Sequence, residues 1–111
     1  MTKYALRLLL LLGATVSALD SQTLPRSFAP KDGFVPNAET AVKIAEAVLI
    51  PVYGERQVLS ERPFKATLSG DNWTVAGTLH CSPPGVHCVG GTAEVKISKA
   101  SGQILHMIHY K

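Results

Sequence analysis

The spacing of apolar residues changes once along this chain, and that change limits the folds open to it. Before Gly54 apolar residues recur at helical spacing, and after Gly54 they alternate with polar residues. The first pattern fits an amphipathic helix, and the second fits strands with one buried face. The sequence therefore predicts an α+β domain in which one N-terminal helix packs on a curved antiparallel sheet of about four strands.

The helical pattern has a predicted start and a predicted stop. Asn37 suits the N-cap position, because its side chain can accept a hydrogen bond from a free amide of the first turn. Pro51 is predicted to end the helix, since the residue before a proline is pushed out of the α region. The apolar stripe between them indicates a face turned toward the core. It consists of Ala41, Ile44, Ala45, Val48 and Leu49.

The alternating pattern divides into four predicted strands. They cover Gln57–Leu68 with a break at Pro63, Trp73–Leu79, residues 92–97 and Gln103–Tyr110. The last strand is apolar on both faces, which predicts a central or covered position in the sheet. Large side chains on the apolar faces of the helix and the strands are the predicted core anchors. These anchors are Ile44, Val48, Phe64 and Trp73.

The first eighteen residues carry the pattern of a secretory signal peptide. Lys3 and Arg7 precede the apolar run Leu8–Leu12, and small residues follow up to Ala18. The run is shorter than the roughly 20 residues of a membrane-spanning helix, so we expect cleavage after Ala18 and no stable membrane insertion. The predicted organisation is a signal peptide at 1–18, a flexible lead at 19–32 and one folded domain at 33–111.

Loss of the predicted leader would change the charge of the protein. Without Lys3 and Arg7 the formal net charge falls from +3 to +1. The remaining Lys and Arg residues form no cluster interleaved with aromatic side chains, so nucleic acid is not an expected partner. The sequence therefore predicts a small, exported, nearly neutral protein.

Two cysteines, Cys81 and Cys88, remain in the exported chain. At this spacing in an oxidising compartment they are expected to form a disulfide. Zinc is the alternative, since His80 and His87 stand beside them and the four side chains are of the types that bind zinc. However, neighbouring residues on an extended chain point to opposite sides, and oxidation would remove both thiolates.

Other chemical sites are not predicted. Copper bound by His106, Met107 and His109 is an alternative to ordinary surface histidines, but the odd spacing of the two histidines sends them to opposite faces of one strand. The chain carries no nucleophile elbow, phosphate-binding glycine loop or metalloprotease motif. We therefore expect a binding protein without catalytic activity, cofactor or metal.

Several segments carry a resemblance to a known family. They are Asn37–Ala47, Pro51–Glu55, Arg62–Ala66, Trp73–Val75, Gly90–Ile97 and Ser101–Leu105. Together they resemble a bacterial immunity-protein family described as having a nuclear-transport-factor-2-like fold, over roughly Gly33–Lys111. The resemblance implies a protein that binds and neutralises a toxin delivered by a neighbouring or sibling cell. Full folds of that type have several helices before the sheet, so the resemblance implies a reduced or cystatin-like version here.

The expected function is therefore that of an exported immunity protein that occludes a toxin acting in the periplasm. The alternative is an endogenous periplasmic inhibitor, for example of a protease or lysozyme, or an accessory ligand-binding domain. The long cross-linked connection His80–Val89 is the candidate contact loop for the partner, because a rigid loop loses little entropy on binding. The alternative is that its disulfide only stabilises a small domain. Its candidate contact residues are His80, Pro83, Pro84, Val86 and His87.

Overall fold

A computed structural model describes residues 28–111 of the chain. The predicted signal peptide at 1–18 and residues 19–27 of the predicted lead lie outside the described residues. Within residues 28–111, two helices precede four strands. Their bounds are α1 Ala38–Tyr53, α2 Glu55–Ser60, β1 Lys65–Ser69, β2 Asn72–Ala76, β3 Ala93–Ser98 and β4 Ile104–His109.

Helix α1 begins as the sequence predicts and ends later. The Asn37 side chain accepts a hydrogen bond from the Thr40 amide at 2.8 Å, which satisfies one free donor of the first turn. The prediction that Pro51 ends the helix is wrong, because α1 continues to Tyr53. Pro51 is exposed in the last turn, where its missing N–H costs a single hydrogen bond. Gly54 ends α1 with a φ of 92°, a conformation that side chains disfavour.

The strand predicted over Gln57–Leu68 is also wrong in its first half. Residues Glu55–Ser60 form α2, and β1 begins only at Lys65. Glu55 lies in the first turn of α2, where a negative charge favours the helix dipole. Val58 is the one buried residue of this short helix. A single buried side chain gives little periodic signal, which explains why the sequence pattern was ambiguous at this point.

The four strands form an open antiparallel sheet in the order β1-β2-β3-β4. One row of the register runs across all four strands, from Ala66 through Val75 and Val95 to Met107. Helix α1 lies over β1, β2 and β3. The described chain is thus α+β, a helix packed on an open four-stranded sheet, as the sequence predicts. No helix within residues 28–111 is long and apolar enough to cross a membrane.

The position predicted for the last strand is wrong. Strand β4 is an edge of the sheet, paired with β3 alone. The register between β3 and β4 shifts at Lys96/Ile97, so that Leu105 is an extra residue on the edge strand. Leu105 is exposed and Ile108 is half-buried on the side away from the helix. The apolar residues on both faces therefore reflect a bulged edge strand, not a central strand.

The core lies between α1 and the sheet. Phe64 and Trp73 are buried, whereas Ile44 and Val48 are half-buried and pack against the buried cluster. The fully or nearly fully buried apolar residues are Val35, Ala41, Ala45, Leu49, Val58, Phe64, Trp73, Val75, Ala93, Val95 and Ile97.

The two ends of the sheet differ, and we name them for what connects the strands there. The turn end consists of the short turns at 70–71 and 99–102 with the segment 32–35 packed against them. The loop end consists of the long connection 77–92, Glu61 and the C-terminal end of β4. The candidate functional groups described next all belong to the loop end.

Candidate functional site

The connection 77–92, which we call the disulfide loop, joins β2 to β3 at the loop end. A disulfide links Cys81 and Cys88, whose Cα atoms are 5.6 Å apart. The five residues predicted to contact a partner are exposed in or beside this loop; they are His80, Pro83, Pro84, Val86 and His87. A chain segment closed at both ends by a covalent bond has fewer conformations to lose when it binds.

The base of the disulfide loop is tied to the segment between α2 and β1. The Thr78 amide donates to the Glu61 carbonyl at 2.7 Å, and the Thr78 hydroxyl donates to the Pro63 carbonyl at 2.6 Å. A ring nitrogen of His80 lies 2.6 Å from the Arg62 carbonyl, which positions His80 as a donor in this contact. These bonds hold the start of the loop at a fixed place beside the sheet.

A buried carboxylate lies beneath the loop end. Glu61 is 5% exposed and is the one buried charged residue of the described chain. Its Oε1 accepts from the Ala93 amide at 2.7 Å, and its Oε2 accepts from the Gln57 side chain at 2.8 Å. His109 Nε2 approaches the same Oε2 at 2.9 Å. One side chain thus connects α2, the first residue of β3 and the last residue of β4.

These contacts determine the charge state of the carboxylate. Burial alone raises the pKa of Glu61, because it penalises the charged form. Hydrogen bonds from Gln57, the Ala93 amide and His109, together with the nearby His109 ring, favour the charged form and bring the pKa below its ordinary value. Glu61 is therefore an ionised structural acceptor at neutral pH.

The ring of His109 has an acceptor at each nitrogen. Nε2 faces Glu61, and Nδ1 lies 2.8 Å from the Tyr110 carbonyl oxygen. Since a carboxylate and a carbonyl can only accept, the ring fills both contacts when each nitrogen carries a hydrogen. The Tyr53 ring at the end of α1 packs on His109 with centroids 5.4 Å apart. This contact joins the helix to the edge strand.

An open groove lies beside the edge strand at this end. It has a volume of about 610 Å³. Its lining combines aromatic rings, apolar side chains, an amide and one lysine, namely Tyr53, Gln57, Met107, Ile108, His109 and Lys111. Such a mixture of apolar walls with a few polar groups is typical of a binding surface.

The arrangement gives no support to the two metal alternatives. Both thiols of the Cys81 and Cys88 pair are consumed by the disulfide. His106 lies opposite exposed Lys96 while His109 lies opposite buried Ala93, so the two histidines occupy different faces of β4. Residues 28–111 contain no group of three or more potential metal-binding side chains.

Sequence reasoning identified the disulfide loop but not the groups around Glu61. A glutamate becomes buried when donors surround it, and here the donors come from positions 57, 93 and 109. The residues next to Glu61 in the sequence do not indicate these donors. The groove was missed for a related reason, because the sequence pattern favoured a covered final strand where the structure has an exposed edge.

Comparison with known proteins identifies the family of this chain. A family model described as NTF2 fold immunity protein matches residues 40–111. Neither the curated proteins nor the solved structures gave a match. The matched residues contain most of α1, all of α2 and the whole sheet, together with the disulfide loop and the groups around Glu61. On this evidence the chain belongs to the family of NTF2 fold immunity proteins.

Proposed function

We propose that this protein is an exported immunity protein that binds a periplasm-acting protein toxin and neutralises it by stoichiometric occlusion. The observation that carries the proposal is the family match over residues 40–111. Immunity proteins of this family are expected to act by binding a toxin. The buried carboxylate Glu61 has a structural role, because its hydrogen bonds tie α2, β3 and β4 together.

Two features support export. The leader pattern at residues 1–18 is that of a secretory signal peptide. The disulfide between Cys81 and Cys88 fits an oxidising compartment, since disulfides rarely persist in the cytosol. A toxin acting on the cell wall or the membrane from the periplasm would meet its antidote in the same compartment.

The disulfide loop is the proposed contact surface. Val86 and Val89 expose 50% and 94% of their surface, and the two prolines Pro83 and Pro84 are also exposed. Apolar side chains held on a cross-linked loop can become buried against a partner at a small ordering cost. A stable protein–protein contact covers roughly 800 Å² on each partner, so the loop would form part of a larger surface.

The net charge of the exported chain bears on how its association with the toxin depends on salt. With a formal net charge of +1 after loss of Lys3 and Arg7, long-range attraction to the toxin would be modest. We therefore expect the association rate to change little between low and physiological salt.

The proposal is tested by measuring protection of growing cells and by capturing the effector. Cells that express each co-encoded effector, directed to the periplasm, are grown with and without this protein. We expect growth to be restored by the full chain, and the effector to be captured from the periplasmic fraction by the tagged protein. Failure to protect against every co-encoded effector would contradict the immunity function and would favour an inhibitor of an endogenous enzyme.

The contact loop has its own test. The double substitution Pro83→Ala/Pro84→Ala is compared with Pro36→Ala, an exposed proline at the other end of the sheet. We expect the loop variant to bind the captured effector about tenfold more weakly, a change of about 1.4 kcal/mol, at unchanged thermal stability. The Pro36 variant should bind as tightly as the unmodified protein. Equal affinities for all three proteins would remove the loop from the contact surface.

A further inference from the structure

The pairing of β4 leaves backbone groups without a partner at the loop end. The Tyr110 amide donates to the Thr92 carbonyl at 3.1 Å, which makes this a hydrogen-bonded pair of the antiparallel ladder. Such pairs alternate with pairs whose N–H and C=O groups point away from each other. In the register of β3 and β4, the alternation turns the N–H and C=O groups of Met107 and His109 away from β3.

No other part of the described chain takes up these outward groups. Helix α1 lies over the other three strands and reaches this region through the contact of Tyr53 with His109. The hydrogen bonds found within residues 28–111 include none to the backbone of Met107 or His109 from outside the sheet. The edge is therefore open along the segment that follows the bulge at Leu105.

The opposite edge of the sheet is built differently. Strand β1 begins at Lys65, two residues after Pro63, and both residues are exposed. Proline and lysine at a sheet edge are features that discourage pairing with another chain. Strand β4 has a bulge at Leu105 and a lysine two residues beyond its end, Lys111, but the stretch Met107–His109 between them contains no proline, lysine or bulge. The contrast points to β4 as the edge that accepts a strand.

The groove beside the edge adds side-chain selectivity. Tyr53 and Met107 supply apolar walls, and Lys111 supplies a positive charge. The lining contains no Asp or Glu side chain, and the Glu side chain beneath it, Glu61, already accepts three hydrogen bonds. Among the described residues no acidic side chain forms an ion pair with Lys111. The surface therefore complements a strand with apolar and acidic side chains.

We propose that the edge segment Met107–Tyr110 binds an extended strand of the toxin that carries apolar and acidic residues, extending the sheet by β-strand addition. In this mode backbone hydrogen bonds provide affinity, and adjoining pockets select alternate side chains. The inference rests on the proposed function, because it names the part of the toxin that this surface recognises. The disulfide loop adjoins the same edge through the bond between Tyr110 and Thr92.

The first test uses a probe that does not require the toxin. A capped six-residue peptide of alternating glutamate and valine is titrated into the ¹⁵N-labelled protein, and a lysine–valine peptide serves as the control. We expect saturable shifts of the Met107 and His109 amides with the acidic peptide, and slower hydrogen exchange at both. Shifts confined to β1, or equal affinity for the two peptides, would overturn the proposal, as would the absence of saturable binding.

Charge reversal provides the second test. Lys111→Glu should weaken binding of the acidic peptide about fivefold and strengthen binding of the lysine peptide. The matched control is Lys65→Glu, which makes the same charge change at the β1 edge and should alter neither affinity. Equal effects of the two substitutions would show a response to net charge alone and would contradict a site at β4.

The failure of this inference can be told apart from failure of the immunity function. If the unmodified protein protects cells and Lys111→Glu protects equally well, the toxin is neutralised through another surface and the edge proposal is wrong. If peptide binding follows the expected pattern while no effector is neutralised, the edge accepts strands and the immunity function is wrong.

Discussion

The two ends of the sheet are held together by different chemistry. At the turn end the contacts are mostly between backbone groups, since the amides of Phe34 and Val35 donate to carbonyls of the turn that follows β3. The Trp73 indole adds a bond of 2.8 Å to the Val35 carbonyl. At the loop end the chain is held together by a buried carboxylate, Glu61, and by the disulfide between Cys81 and Cys88.

The difference shows how a small domain can carry a long exposed loop. A tight turn satisfies its own backbone groups, whereas a long connection needs partners from elsewhere in the chain. Glu61 supplies such a partner, because its side chain accepts from the Ala93 amide and its carbonyl accepts from the Thr78 amide. The loop end therefore anchors the base of the disulfide loop at the place where we propose that the toxin binds.

The largest expected effect of a single substitution lies at the turn end. Trp73→Ala should lower the free energy of unfolding by about 4 kcal/mol, because it leaves a large cavity and deprives the Val35 carbonyl of its donor. Urea unfolding provides the measurement. Trp73→Phe keeps most of the ring volume and should cost about 2 kcal/mol. A loss below 1 kcal/mol for the alanine variant would contradict this account of the turn end.

Removal of the buried carboxylate should have the next largest effect. Glu61→Ala is expected to cost about 3 kcal/mol, since it leaves the Ala93 amide without an acceptor and His109 without its charged partner. Glu39 is the control, because it forms an exposed ion pair with Lys43 at 3.1 Å. Glu39→Ala should cost less than about 1 kcal/mol. Similar losses from the two variants would show that Glu61 does not hold the loop end together.

Loss of the disulfide should have a smaller effect that stays at the loop end. Cys81→Ser/Cys88→Ser opens an eight-residue loop, for which the chain-entropy account gives about 2.5 kcal/mol. Thermal unfolding under oxidising conditions measures the difference between this variant and the unmodified protein. In the control, under reducing conditions that open the disulfide of the unmodified protein, the two should unfold alike. We expect amide shifts to change in residues 77–92 and to remain unchanged in the turn at 99–102. Changes of equal size at both ends would contradict the independence of the two ends.

The smallest expected effect is a dependence of stability on pH. The pKa of Glu61 is lowered from 4.5 in the folded protein, so the unfolded chain binds its proton at a higher pH. The contribution of Glu61 is complete above pH 4.5 and is lost as the pH falls from there through the lower folded pKa. The slope reaches at most about 1.4 kcal/mol per pH unit. Denaturant unfolding of Glu61→Gln should lack this part of the slope, and an identical slope would contradict the assignment.

The parts of the fold that sequence reasoning predicted depend on local signals. The Asn37 cap acts within one turn, and the alternation through β2 and β3 places Val75 and Val95 in the core. The family resemblance was likewise carried by short segments and is confirmed by the family match. Local patterns thus predicted the α+β architecture and most strand positions.

One failure has a local cause, because Pro51 stays in a helix where its position in an exposed last turn limits its cost. Two others share a different physical cause, which is that distant residues decided the outcome. The bulge at Leu105 exists only in the pairing of β4 with β3, and the burial of Glu61 needs donors from three elements. Neither of these can be derived from residue spacing along a single segment.

Calorimetric titration of the purified toxin with this protein, with residual toxin activity measured along the titration, tests the central claim most directly. Occlusion predicts a binding ratio of one to one and loss of toxin activity in proportion to the complex formed. Toxin that stays active when the protein is in saturating excess would contradict the account. So would inactivation of many toxin molecules by each protein molecule, because that would require catalysis.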